Sequence, residues 1–161
     1  MSGIGKTTIF RLILGIIQPT QGRIERGKGQ IAYVPQGNTL VSGSIRDNLL
    51  LANPTASDDD LYNVLHTAAA DFVFDLPNGL DTECAEKGDG LSEGMSQRIA
   101  VARGLLQPGS IILLDEVSSA LDCETERIMY ERILEVYSSK TIIAISHNKA
   151  VLQMFQEHID L

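Results

Sequence analysis

The sequence of 161 residues carries 13 Lys and Arg against 21 Asp and Glu, a formal net charge of −8, and is 43% hydrophobic. That is one domain's worth of chain, long enough to bury a sizeable core and too apolar for a disordered polymer. The acidic balance and the lack of a basic stripe argue against a binder of nucleic-acid backbones, whose affinity comes from clustered Lys and Arg.

The chain opens "MSGIGKTTIF", which reads as most of a phosphate-binding loop of the form G-x-x-x-x-G-K-[ST]. Such a loop lets backbone N–H groups converge on phosphate between a buried strand and the start of a helix. Gly3 and Gly5 allow close backbone approach, Lys6 can reach the β- and γ-phosphates, and the Thr7 hydroxyl can ligate Mg²⁺. The candidate nucleotide contacts here are Ser2, Gly3, Ile4, Gly5, Lys6, Thr7 and Thr8. The loop's first Gly would fall one residue before Met1, so the sequence reads as part of a longer protein in which a preceding strand anchors the loop. Without that strand, weak nucleotide binding and aggregation are expected.

Lys6 to Ile17 has the texture of an apolar helix stopped by "QPTQG". Its apolar run "IFRLILGII" is broken by Arg11 and is about half of the ~20 residues a membrane span needs, so it reads as a core helix. No signal-peptide pattern is visible. "GRIERGKGQIAYVPQ" suggests two short strands around a Gly-rich turn, the second at Ile31 to Val34, with Gln36 at its end. Between Gln36 and Gln107 the texture changes to short helices: Ser44 can cap "IRDNLLL", Ser57 "DDDLYNVLHTAAA" and Ser92 "EGMSQRIAVARGLL". Asp58 to Asp60 then complement a helix dipole and do not form a metal site. Afterwards "SIILLDE" reads as a buried strand, "CETERIMYERILEVY" as an amphipathic helix and "TIIAIS" as another buried strand. Cys84 and Cys123 show no metal or disulfide spacing and, like His66, receive no role. The expected fold is α/β, a mostly parallel sheet core (1–38 and 107–161) with an inserted helical subdomain (about 39–106).

A buried strand that delivers Asp115 and Glu116 at its carboxyl end suits a Mg²⁺–nucleotide site. Asp115 can hold the metal's water shell, and Glu116, facing the γ-phosphate, can act as general base. Either this pair or the Gly-Lys-Thr turn alone could be a plain structural feature. Their order in one chain, with "LSEGMSQRIAVARGLL" shortly before the strand, resembles the ATP-binding cassette (ABC) family of P-loop ATPases, which have a RecA-like core. That family's signature segment runs L-S-G-G-Q-x-Q-R.

The resemblance covers the whole chain. It implies Gln36 as the Q-loop glutamine, contacting metal and attacking water; Ser118 to Asp122 as the D-loop; and His147 as the switch histidine that braces the γ-phosphate. It also implies ATP and Mg²⁺ as ligands, with Thr7, Gln36 and Asp115 around the metal and Lys6, Gln36, Glu116 and His147 serving hydrolysis. Two copies, identical or different, would face head to tail, so that Ser92 and Gly94 of one reach the γ-phosphate held by the other. The run "YVPQGNTLVSGSIRDNLLLANP" is similar to the exporter-type branch, which implies a transmembrane partner domain and a place at the cytoplasmic face of the cell membrane. The absence of a coiled-coil insertion separates it from the chromosome-maintenance ATPases. Alternatives are a catalytically silent fragment and a soluble, non-transport member of the same family. Two departures stand out: Glu93 replaces a signature glycine and Met95 a glutamine.

Overall fold

In the computed structural model, residues 5–25, 27–37, 39–84 and 90–159 are described. The elements in chain order are α1 (Lys6–Leu14), β1 (Ile31–Val34), β2 (Gly43–Ser44), α2 (Ile45–Leu50), α3 (Asp58–Thr67), β3 (Glu83–Cys84), α4 (Glu93–Leu105), β4 (Ile111–Asp115), α5 (Cys123–Val136), β5 (Thr141–Ile145) and α6 (Lys149–Leu152), with short 3-10 turns at Asp71–Asp75 and Gly79–Asp81.

β1, β4 and β5 form a parallel sheet in the order β1-β4-β5, with Tyr33 beside Leu113 and Leu113 beside Ile143. Side chains alternate between the faces of a strand, and here the alternation sorts two cores. Ile31, Tyr33, Ile111, Leu113 and Ile145 pack with Phe10, Ile13 and Leu14 of α1. Ala32, Val34, Ile112 and Leu114 join the larger core built with α2 to α5. β4 is therefore covered on both faces, which is why it reads as an unbroken apolar run.

Serines cap α2, α3 and α4, while Asp122 and Asn148 cap α5 and α6. Ser44 and Ser57 each accept from a backbone N–H three residues on, while Asp47 and Asp60 reach back to complete capping boxes. Ser92 accepts from the Met95 N–H at 3.2 Å. The "SGSIRDN" run proves to be local architecture. Arg46 pairs with Asp58 and Asp81, and buried Asn48 bonds the Val41 N–H and C=O at 2.9 Å, pinning the loop that precedes α2.

Several boundaries differ from expectation. The first helix ends at Leu14 and not at Ile17, because Gly15 turns left-handed (φ 75°) and Ile16 N–H closes on Arg11 O at 2.9 Å. α3 stops at Thr67, short of the alanines, with Ala69 at φ 53°. The first of the two strands expected around the Gly-rich turn is not formed: residues 23–25 are exposed and without regular structure, and Arg26 lies outside the described residues. A short antiparallel pair, β2 with β3, was not foreseen. β5 is not buried like β4. Among the described residues it pairs only with β4, and Ile143 is 38% exposed, because one edge and part of one face lack a neighbour.

Arg132 of α5 bonds Asp71 Oδ2 and His66 O, both at 2.6 Å, tying the helical section to the sheet side of the molecule. Burial pushes the Asp71 carboxyl up, but Arg132 and His66 on its oxygens outweigh this and hold it below the ordinary carboxylate value. A depressed folded value contributes stability above the unfolded pKa and loses it as pH falls through the folded one. Asp71→Asn is therefore expected to lower stability at pH 7, with the gap to wild type closing as pH drops below about 4; denaturant titrations at stepped pH check this. α4 crosses β1 at Gly104, where a Cβ would lie 2.5 Å from Val34 Cγ2. Gly104→Ala gains about 1 kcal/mol of helix propensity but forces an overlap costing about 1–3 kcal/mol. The expected net result is a lower melting temperature, partly recovered when Val34→Ala vacates the space.

Candidate functional site

The sheet's alternation brings the site together. Asp115 lies two residues beyond Leu113, so its side chain shares the α1 face with Tyr33. It is 1% exposed, and its carboxylate accepts from Thr7 Oγ1 at 3.3 Å on Oδ1 and from the Tyr33 hydroxyl at 3.0 Å on Oδ2. Thr7 stands in the first turn of α1, opened by Gly5 at φ 85°, a backbone conformation that side chains rarely adopt. Lys6 begins the same turn and is half-buried, and Thr8 is exposed. Ser2, Gly3 and Ile4 lie outside the described residues.

The next residue points elsewhere. Glu116 adopts φ 47° and its N–H bonds Ile145 O at 3.1 Å. This corner turns its carboxylate to Gln36 Nε2, 3.0 Å from Oε2, and to His147 Nε2, 3.0 Å from Oε1. Two polar groups, Thr7 with Asp115 and Gln36 with Glu116 and His147, thus flank this corner at the carboxyl ends of three parallel strands, where ligands of open α/β sheets bind.

Beside Thr7 the donors are hard oxygens, its own hydroxyl and the Asp115 carboxylate, and the neighbouring Glu116 and Gln36 add a second carboxylate and an amide. Oxygen donors of this kind suit Mg²⁺, which binds through one or two carboxylates plus phosphate and water. Among the described residues, a Cβ built on Gly5 meets nothing within 4 Å.

Ser92 and Gly94 stand apart; among the described residues neither bonds to this cluster. The Ser92 hydroxyl caps α4 and remains exposed. Gly94 has a packing reason as well, because a Cβ there would lie 2.9 Å from Ala120 O. Three residues that motif reading passed over lock the surroundings. Gln97 donates to Ser119 Oγ at 3.2 Å and accepts from the Ala120 N–H at 3.0 Å. Buried Glu126 accepts from the Ser118 hydroxyl and, at 2.6 Å, from Asn148 Nδ2 next to His147. The third is Tyr33. Its only sequence signal was its place on the strand leading to Gln36.

The sequence pattern of the family described as "ABC transporter" matches residues 1–119. A Staphylococcus aureus protein (strain bovine RF122 / ET3-1) named as a multidrug export ATP-binding/permease protein is 36% identical over 165 aligned positions, covering 94% of this chain and 28% of the relative. A Rickettsia felis protein named as an export ATP-binding/permease protein is 38% identical, covering 91% of this chain and 28% of its own length. Among solved structures, a bacterial Atm1-family ABC exporter with ATP bound superposes with a TM-score of 0.84 at 34% identity, over 94% of this chain and 29% of that one. The chain therefore spans under a third of the length of these relatives. No helix among the described residues is long and apolar enough to cross a membrane. With this fold, this cluster and these likenesses, the chain belongs to the ABC transporter family of ATPases, as an ATP-binding domain of the exporter type.

Proposed function

We propose that this domain binds Mg²⁺–ATP and hydrolyses its γ-phosphate, and that it powers an exporter by pairing head to tail with a second ATPase domain. The observation that carries the reading is the split corner at β4: Asp115 faces Thr7 on α1, while Glu116 lies within 3.0 Å of both Gln36 and His147. Hydrolysis needs a metal site and a water-polarising base side by side, with separate orienting partners.

In this reading Gly5 to Thr8, continued by Ser2, Gly3 and Ile4, cradle the phosphates, and Lys6 neutralises charge on the β- and γ-oxygens. Thr7 and Asp115 hold Mg²⁺, with Gln36 at its water shell; when bound, the ion neutralises developing phosphate charge. Glu116 orients the attacking water and takes its proton. A carboxylate has about four acceptor sites, so Gln36 and His147 leave room for that water. His147 braces the γ-phosphate. Ser92 and Gly94, absent from the cluster, serve the nucleotide of the partner domain: the exposed Ser92 hydroxyl and the start of α4 suit a phosphate arriving from outside.

Gln36 leads directly into the loop pinned by Asn48 and Arg103. That loop and α2 are the proposed contact with a transmembrane domain, which would place this domain at the cytoplasmic face of a membrane. Residues 1–38 and 107–161 form the nucleotide-binding core of this division and about 39–106 its helical subdomain.

Two outcomes test the reading. Glu116→Gln in the full chain is expected to keep Mg²⁺–ATP binding while slowing turnover about 10²–10⁴-fold, and to accumulate an ATP-bound pair visible by light scattering; near-normal hydrolysis removes Glu116 from the mechanism. Glu93, exposed in the first turn of α4, would face the partner's phosphate. Glu93→Gly is expected to strengthen ATP-dependent pairing about two- to fivefold at low salt, with the gain shrinking at high salt. A pairing constant that does not change at low salt places the Glu93 carboxylate in solvent.

A further inference from the structure

The Tyr33 hydroxyl has no part in that chemistry. It donates to Asp115 Oδ2 at 3.0 Å, opposite the oxygen taken by Thr7. Its ring is fixed edge-on against Phe10 of α1, with centroids 6.3 Å apart at 88°, and its backbone N–H is held by Gln107 Oε1 at 3.2 Å. The hydroxyl therefore arrives from a ring packed on α1 and a backbone fixed from the loop after α4.

We propose that Tyr33 is a positioning residue for the metal-binding carboxylate: its hydroxyl anchors one oxygen of Asp115 so that the other stays directed at the cation site beside Thr7. The inference rests on the reading of Asp115 as a Mg²⁺ ligand. An aspartate carboxylate turns freely about its last torsion, a broad two-fold well. At 1% exposure water cannot hold it, so a fixed donor on one oxygen decides where the other points. Groups that orient metal-binding carboxylates in this way are worth about 10–100-fold in metal affinity.

Tyr33 and Gln36 sit three residues apart on one segment, and that segment grips both neighbouring carboxylates: Tyr33 holds Asp115, and Gln36 holds Glu116. A displacement of this segment disturbs the metal ligand and the base together.

The test uses Mn²⁺ as a probe of the Mg²⁺ site, titrated into the full chain with ATP and read by electron paramagnetic resonance. ATP binding in excess chelator is the control. Tyr33→Phe keeps the ring and its packing on Phe10; it is expected to weaken Mn²⁺ binding about tenfold or more with chelator-state ATP binding unchanged. In the Asp115→Asn background the same substitution is expected to have no further effect. Tyr33→Phe with an unaltered Mn²⁺ titration, while Asp115→Asn weakens it, overturns the role of Tyr33 and leaves the metal site standing. A titration unmoved by Asp115→Asn overturns the metal reading and the inference with it. Equal loss of ATP binding with and without metal in Tyr33→Phe shows a purely structural contribution and also overturns it.

Discussion

The corner between Asp115 and Glu116 is the constraint on which the site depends. A regular strand end would send consecutive side chains to opposite faces of the sheet, placing one carboxylate towards α1 and the other into the core packed beneath α4 and α5. Glu116 instead takes a left-handed φ of 47°, a conformation that costs a non-glycine residue about 1–3 kcal/mol. Three things hold it there. β4 is paired with β1 through Leu114 and with β5 through Asp115, the Glu116 N–H is captured by Ile145 O, and Val117 and Ser118 are buried immediately after. The rigid sheet thus bears the strain of the turn, and in return two adjacent residues acquire separate partners and separate chemistry.

The surrounding loops are positioned by polar groups that look outward from the core. Starting at the capped end of α4, Gly94 lets the helix lie against Ala120 O, and Gln97 fixes the Ser119–Ala120 segment by two hydrogen bonds. Ser118 then meets Glu126, whose other oxygen accepts from Asn148, the residue after His147. An unpaired buried carboxylate is costly, and Glu126 avoids that cost only while the two loops keep their present spacing. The segment at 118–122 and the loop carrying His147 are in this way kept in register by one side chain in the first turn of α5.

The parts of this arrangement legible in the sequence were those with local causes. Serines at 44, 57 and 92 announced helix starts because capping involves groups three residues apart, and "IILLDE" announced a doubly covered strand because burial on both faces removes the alternation. What was not legible depended on partners distant in sequence. Nothing near Tyr33 reveals that Asp115 lies 82 positions away at hydrogen-bond distance, and nothing near Glu126 reveals Asn148. The same holds for the misjudged elements. "TIIAIS" has a buried strand's composition, yet its exposure is set by what pairs with its far edge. Residues 23–25 have strand-like composition but find no pairing partner among the described residues. The end of α1 is a different case: its stop signal is local, Gly15, and it acts before the Pro and Gly that follow.

The signature segment shows how fold and function divide neighbouring positions. The buried face of α4 comprises Ser96, Gln97, Ile99, Ala100, Val101, Ala102, Gly104 and Leu105, so the helix is anchored from its second turn onward. At its start, Ser92 is needed as the cap and Gly94 because a side chain would strike the Ala120 carbonyl. Positions 93 and 95 carry neither demand: the Glu93 side chain is exposed, and Met95 contributes to the cap only its backbone N–H. A carboxylate and a thioether at these two places are therefore compatible with the cap. Of the two, the exposed Glu93 carboxylate is the one that a group approaching the start of α4 from outside would meet, while the Met95 side chain is half-buried.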